Sequence, residues 1–133
     1  MLFAPKKFTD KEELLQAYYD YLENRDPSRT CYLSGPISPA NGKSISENIG
    51  NLKYYARKLD AAGEYDTVIN PSSAGDLERM GYTGEDALWV WLGLLKSGLV
   101  KIIAMVPGWE RSKGAAAEHA QAKEQELEII YLK

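Results

Sequence analysis

Cysteine and histidine are almost missing from this chain, with one of each in 133 residues. Cys31 has no second cysteine with which to form an internal disulfide, and its apolar setting suits an inert buried thiol. A lone His and a lone Cys supply too few imidazole and thiolate ligands for a zinc or transition-metal site, so no metal is expected. Long apolar runs are missing as well. None approaches the roughly 20 residues that cross a bilayer, and Met1-Leu2-Phe3-Ala4-Pro5-Lys6-Lys7 lacks the apolar centre of a signal peptide. A cytoplasmic protein with no membrane partner is the expectation. Positive charge is not in excess either: 16 Lys and Arg stand against 19 Asp and Glu, a net charge of -3. That balance argues against a nucleic-acid polymer as the main partner, a mode that needs a basic face, and leaves room for a local basic spot that holds one phosphate.

Three common ligand signatures are also lacking. No Gly-x-x-x-x-Gly-Lys-Ser/Thr segment follows an apolar run, no three-glycine dinucleotide fingerprint is present, and there is no Gly-x-Ser-x-Gly nucleophile elbow. No cofactor is expected.

What is there is a regular alternation of helical and extended patterns. A first helix over residues 9–24 carries Leu14, Leu15, Tyr18, Tyr19, Tyr21 and Leu22 and is capped by Thr9 or Asp10. A strand over 30–34 runs into a Pro- and Gly-rich loop at 35–42. The helix predicted over 46–62 places Ile49, Leu52, Tyr55, Ala56 and Leu59 at helical spacing and stops at Gly63. A strand over 65–69, a long loop over 70–82, and a helix over 84–97 capped by Thr83 and closed by Gly98 follow. Then come an apolar strand over 99–106, a helix over 115–126 and a last strand over 128–132. The chain divides into an N-terminal helical extension, 1–29, and one α/β domain, 30–133. Strand-helix-strand alternation implies a right-handed, mainly parallel sheet with helices on both faces. The fold expected is a Rossmann-like (flavodoxin-like) three-layer sandwich of strand order 2-1-3-4. Its ligand lies where the first and third strands part.

Two loops meet at that point, Ser34-Gly35-Pro36-Ile37-Ser38 and Pro107-Gly108-Trp109-Glu110-Arg111-Ser112-Lys113-Gly114. Ser112 suits an N-cap, and Gly114 allows close approach of a ligand to the free N–H groups of the following helix. Glu118 lies about one turn further on, behind Ala115, Ala116 and Ala117. The same pattern also fits an ordinary capped helix with a solvated glutamate. A carboxylate among small residues, hydroxyls, an aromatic and a few cations suits a sugar or nucleotide attacked at its anomeric carbon. His119 points about a third of a turn away from Glu118 and is read as a helix-surface or rim residue.

Tyr32-Leu33-Ser34-Gly35-Pro36-Ile37, Asn48, Asn70-Pro71, Pro107-Gly108-Trp109-Glu110 and Ser112-x-Gly114-x-x-x-Glu118 together resemble the nucleoside 2-deoxyribosyltransferase superfamily, most closely its small phage and prophage members. The resemblance covers about residues 30–133. It implies cleavage or transfer of the N-glycosidic bond of a nucleoside or deoxynucleoside, or of its 5′-monophosphate, with Glu118 as nucleophile and a covalent glycosyl-enzyme. It further implies that Tyr32 positions Glu118, and that Gly35, Ser112 and Gly114 line the sugar or phosphate side. Relatives carry an aspartate on the helix before the third strand, at the position of Gly93, and Lys101 stands where they often have another. Asp86, beside Glu85 in the first turn of that helix, is the candidate replacement acid, with Asp76 and Glu110 as alternatives. Asp86 equally suits a first-turn acid favoured by the helix dipole.

Ser34, Gly35, Pro36, Ile37, Trp109, Arg111, Ser112, Lys113 and Gly114 form the candidate substrate-binding set, with Glu118, Tyr32 and Asp86 as the catalytic set. Arg111, Lys113 and Lys43 suit a 5′-phosphate, or solvated loop charges. Trp109 either stacks on a base or anchors its loop. Residues 87–95, apolar around the whole circumference, need a second cover. A homo-oligomer interface or the N-terminal helix serves. Two functions stay open: a glycosidic-bond enzyme, or a catalytically inactive nucleotide-binding protein acting as a sensor, a sequestering protein or a partner module.

Overall fold

The computed structural model describes residues 2–3, 5, 8–39, 42–74 and 80–133. Its elements follow in the order β1 (Leu2–Phe3), α1 (Lys11–Leu22), β2 (Thr30–Ser34), α2 (Ile45–Ala61), β3 (Thr67–Ile69), α3 (Gly84–Lys96), β4 (Ile102–Met105), α4 (Lys113–Glu124) and β5 (Glu128–Tyr131). Every pairing is parallel and the spatial order is β1-β3-β2-β4-β5. The four core strands therefore take the expected 2-1-3-4 order. The two-residue β1 extends the sheet beyond β3, an addition too short for any periodicity to announce.

Alternation along the strands divides the interior in two, because successive side chains of a strand point to opposite faces. Cys31, Leu33, Val68, Ile102, Ala104 and Val106 pack with Leu52 and Ala56 of α2. On the other face Tyr32, Ile69, Ile103 and Met105 meet α1, α3 and α4. Cys31 is fully buried, and burial pushes its thiol up to about 12. No helix among the described residues is long and apolar enough to cross a membrane.

Local chemistry explains where the helices begin. Asp10 rather than Thr9 caps α1, accepting from the Glu13 N–H at 2.8 Å, while Thr9 bonds the Glu13 carboxylate. Ser44 caps α2 in a reciprocal box with Glu47, which starts the helix one residue before the expected position. Thr83 caps α3 as expected, and Asp86 returns the bond to the Thr83 N–H at 2.9 Å. The loop expected over 70–82 contains a 3-10 turn at Pro71–Ala74. Positions 75–79 of it, Asp76 among them, and positions 40 and 41 of the 35–42 loop lie outside the described residues.

The N-terminal helix covers part of α3. Tyr18 meets Trp91 edge to face at 5.5 Å between ring centroids, and Tyr19 Oη donates to the Gly93 carbonyl at 3.4 Å. Gly93 lies close against α1, since a Cβ there would sit 3.1 Å from Leu15 Cδ2. Position 93 therefore faces α1, and a longer side chain there would be directed at that helix. Trp89 keeps 44% of its surface exposed, with the Lys11 ammonium 4.9 Å above its ring.

Candidate functional site

The sheet's carboxyl edge carries a cavity of about 760 Å³ between the ends of β2 and β4 and the N-termini of α2, α3 and α4. At its base lies Glu118, 5% exposed. Tyr32 and Ser34 stand two residues apart on β2 and so share a face of the sheet. Both aim at Glu118: Tyr32 Oη donates to Oε2 at 2.9 Å and Ser34 Oγ donates to Oε1 at 2.6 Å. Burial pushes the Glu118 carboxyl up to about 7, against the opposing pull of the Ser34 and Tyr32 hydrogen bonds. Burial first, then the adjacent Glu118 charge, holds the Tyr32 hydroxyl well above the usual phenol range, so it remains a donor.

The loops around Glu118 are fixed from several sides. Gly35 leaves β2 beside β4, where a Cβ would come within 2.8 Å of Val106 Cβ, so glycine is required for chain packing. The Val106 N–H donates to the Ser34 carbonyl at 2.8 Å. Asn48 of α2 donates its amide to the carbonyls of Ile37 and Ser38 at 3.2 and 3.0 Å and ties that loop down. Ser112 accepts from the Ala115 N–H at 3.2 Å and caps α4, which begins at Lys113, two residues before the expected start.

Of the candidate binding residues, Gly35, Ile37, Ser112, Lys113 and Gly114 line the cavity with Glu118. Ser34, expected to bind substrate, is not among the lining residues, and its hydroxyl is turned onto Glu118 instead. Pro36, Trp109 and Arg111 are not among the lining residues. Trp109 is the anchor of its loop, stacked on His119 with ring centroids 4.1 Å apart and 23° between planes. His119 is buried beneath it rather than lying on the surface, and its ring nitrogen meets Tyr131 Oη at 2.8 Å. Burial holds the His119 imidazole below its ordinary value.

Asp86 is drawn away from the cavity. Its carboxylate receives the Thr83 N–H at 2.9 Å, the Thr83 hydroxyl at 3.0 Å and the Lys11 ammonium at 3.0 Å. Those partners, the Thr83 backbone first, hold it below the usual carboxylate range. Its neighbour Glu85 lines the cavity instead, as do Ala87, Leu88 and Trp91 on the same helix. Glu110 sits on the exposed 3-10 turn Trp109–Arg111, not among the lining residues. The remaining wall comes from Ser38, Ile45, Ile49, Pro71, Thr83, Gly84 and Ala115. Ile49, Leu88 and Trp91 escape the sequence reading because they look like ordinary core. Their signal is the shared face formed by Gly84, Ala87, Leu88 and Trp91, at helical offsets of three and four.

Among the described residues, no group of three or more His, Cys, Asp or Glu is placed to hold a metal ion. No curated protein and no solved structure matches the chain. A family match does exist, spanning residues 29–131 and so including Tyr32, Ser34 and Glu118 with both loops of the cavity. By that match the chain belongs to the family described as Domain of unknown function (DUF4406).

Proposed function

We propose that this protein cleaves or transfers the N-glycosidic bond of a deoxynucleoside or its 5′-monophosphate, with Glu118 as the nucleophile. The observation that carries the reading is the Glu118 carboxylate at the base of a ligand-sized cavity, each of its oxygens held by one hydroxyl. Two donors fix the direction of the carboxylate, so little reorganisation accompanies attack. In a site with little water, a fixed anion stabilises the positive charge that develops on the sugar. The similarity of the loop and Glu118 motifs to the nucleoside 2-deoxyribosyltransferase superfamily supports the same reading.

In the proposed reaction a Glu118 oxygen bonds to C1′ as the C1′–N bond breaks, and the base leaves with a proton from an acid or from water. Water, or a second base, then attacks C1′, breaks the glycosyl ester and restores the carboxylate. The step requires the anion. A carboxyl at about 7 is half ionised near neutrality, so turnover rises through pH 7 to a plateau above it.

Lys113 and the N–H groups at the start of α4 suit the phosphate of a 5′-monophosphate. The test is incubation with deoxynucleosides and their monophosphates, with and without acceptor bases, followed by chromatography of the released base. Base release or exchange that is lost in Glu118→Gln supports the reading. Tight nucleotide binding with no bond cleavage at any pH from 6 to 9 overturns it in favour of a binding protein.

A further inference from the structure

We propose that Glu85 reads the base and that the preferred base is a purine with adjacent N–H donors, of the guanine type. This rests on the glycosidic reading above. Glu85 and Glu118 are the two carboxylates that line the cavity among the described residues. They stand at different depths. Glu118 is buried against Tyr32, whose ring lies 5.9 Å from that of Trp91. Glu85 precedes Trp91 by six residues on α3, a rise of about 9 Å toward the helix start. A nucleoside with C1′ at Glu118 extends its base along this face, and the far edge of a purine reaches the level of Glu85.

The walls between these two levels are apolar. Ile45 and Ile49 of α2 and Leu88 and Trp91 of α3 line the cavity with apolar surface, and of these four only the Trp91 indole N–H can hydrogen-bond a flat ring. Discrimination then falls to the few polar groups at the mouth. Glu85 makes no hydrogen bond or ion pair with the described residues, whereas the neighbouring Asp86 is committed to Thr83 and Lys11. A carboxylate offers two acceptor oxygens and no donor when ionised. It pairs best with a base edge that carries two adjacent N–H donors, which in guanine are N1–H and the 2-amino group. Adenine and cytosine place a ring acceptor beside their amino group, and thymine flanks its one N–H with two carbonyls. Each of those edges sets an acceptor against the carboxylate, a repulsive pairing in place of a hydrogen bond.

Calorimetric titration of Glu118→Gln, which holds substrate without turnover, tests the assignment with deoxyguanosine, deoxyinosine, deoxyadenosine and thymidine as probes. Deoxyguanosine is expected to bind at least about tenfold tighter than deoxyinosine, which lacks the 2-amino group, and tighter still than thymidine. Adding Glu85→Gln or Glu85→Ala brings all four within about threefold of one another. Should Glu118→Gln fail to fold, the same ranking is read from kcat/KM of the wild type and of Glu85→Gln. A ranking that survives both Glu85 substitutions, or one led by a pyrimidine, overturns this assignment alone. Failure of every deoxynucleoside and its 5′-monophosphate to bind overturns the glycosidic reading together with it.

Discussion

Helices α3 and α4 turn their N-termini toward the same cavity, yet the two ends are chemically opposite. The first turn of α3 carries Glu85 and Asp86, and Asp86 closes a capping box with Thr83. The first turn of α4 carries no acid; Ser112 caps it and Lys113 begins it. A helix N-terminus bears about half a positive charge. At α3 that charge is neutralised by the helix's own side chains, while at α4 it is left for a ligand. The cavity is therefore polarised, with one end suited to an anion and the other to hydrogen-bond donors. A nucleoside monophosphate, phosphate at one extremity and base edge at the other, has the matching polarity.

The largest effect expected is at Glu118, on the helix whose N-terminus carries no acid. Glu118→Gln removes the nucleophilic charge, and base release should fall at least a thousandfold in the chromatographic assay. The same substitution changes stability in the opposite sense. Glu118 is raised from an ordinary 4.5 to about 7 in the fold, so between those values the folded state binds more protons than the unfolded one, and stability falls as pH rises. The full penalty, on the order of 3 kcal/mol, is present above pH 7 and absent below 4.5. Glu118→Gln should therefore melt several degrees higher than wild type at pH 8, with the difference vanishing near pH 4. An equal Tm at both pH values would show that the carboxylate is not desolvated.

A smaller effect is expected from the hydroxyls that hold it. Tyr32→Phe and Ser34→Ala each remove a hydrogen bond that favours the anion. The rising limb of the pH-rate profile should move above pH 7, and turnover should fall roughly 10- to 100-fold. A limb that stays in place would reduce both hydroxyls to packing roles.

The two ends are separated by charge deletions. Lys113→Ala is expected to weaken 5′-monophosphates about tenfold while leaving nucleosides nearly unchanged. Arg111→Ala, at a residue not among those lining the cavity, should do much less. Equal losses for both ligand classes would remove the phosphate from the α4 end. The smallest catalytic change is expected at Asp86. Asp86→Asn should lower the Tm by the few degrees that a lost capping partner and ion pair give, with turnover within about twofold. A hundredfold loss of turnover with unchanged ligand affinity would return Asp86 to the role of proton donor.

These residues also mark how far the sequence carries. The sheet order and the meeting of the β2 and β4 loops follow from local patterns, because apolar runs, Gly and Pro punctuate each element in turn. Ser112-x-Gly114-x-x-x-Glu118 is equally local, and its geometry follows once α4 forms. The choice between Glu85 and Asp86 is not read so directly. Adjacent helical residues point about 100° apart, and the Thr83-x-x-Asp86 box decides which of them turns outward. That box was a usable signal, since it fixes the third residue of the helix. Gly93 lay beyond local reasoning, because its surroundings depend on the docking of α1 some 70 residues earlier. The burial of His119 beneath Trp109 likewise depends on β5 and Tyr131, which no motif connects to it.

The docking of α1 separates two kinds of boundary. The family match begins at residue 29, whereas Leu14, Leu15, Tyr18 and Leu22 of α1 are part of the core that contains Trp91 and Tyr32. A buried leucine contributes about 1.5–3 kcal/mol, and a whole domain retains only about 5–15 kcal/mol. Three leucines and a tyrosine thus represent stabilisation of the same order as the entire fold. The segment matched by the family and the segment that builds this core are therefore not the same length. A polypeptide trimmed to residues 29–131 would expose the apolar flank of α3 to water, and the unsupported Trp91 would slacken the Tyr32 lever that aims the carboxylate.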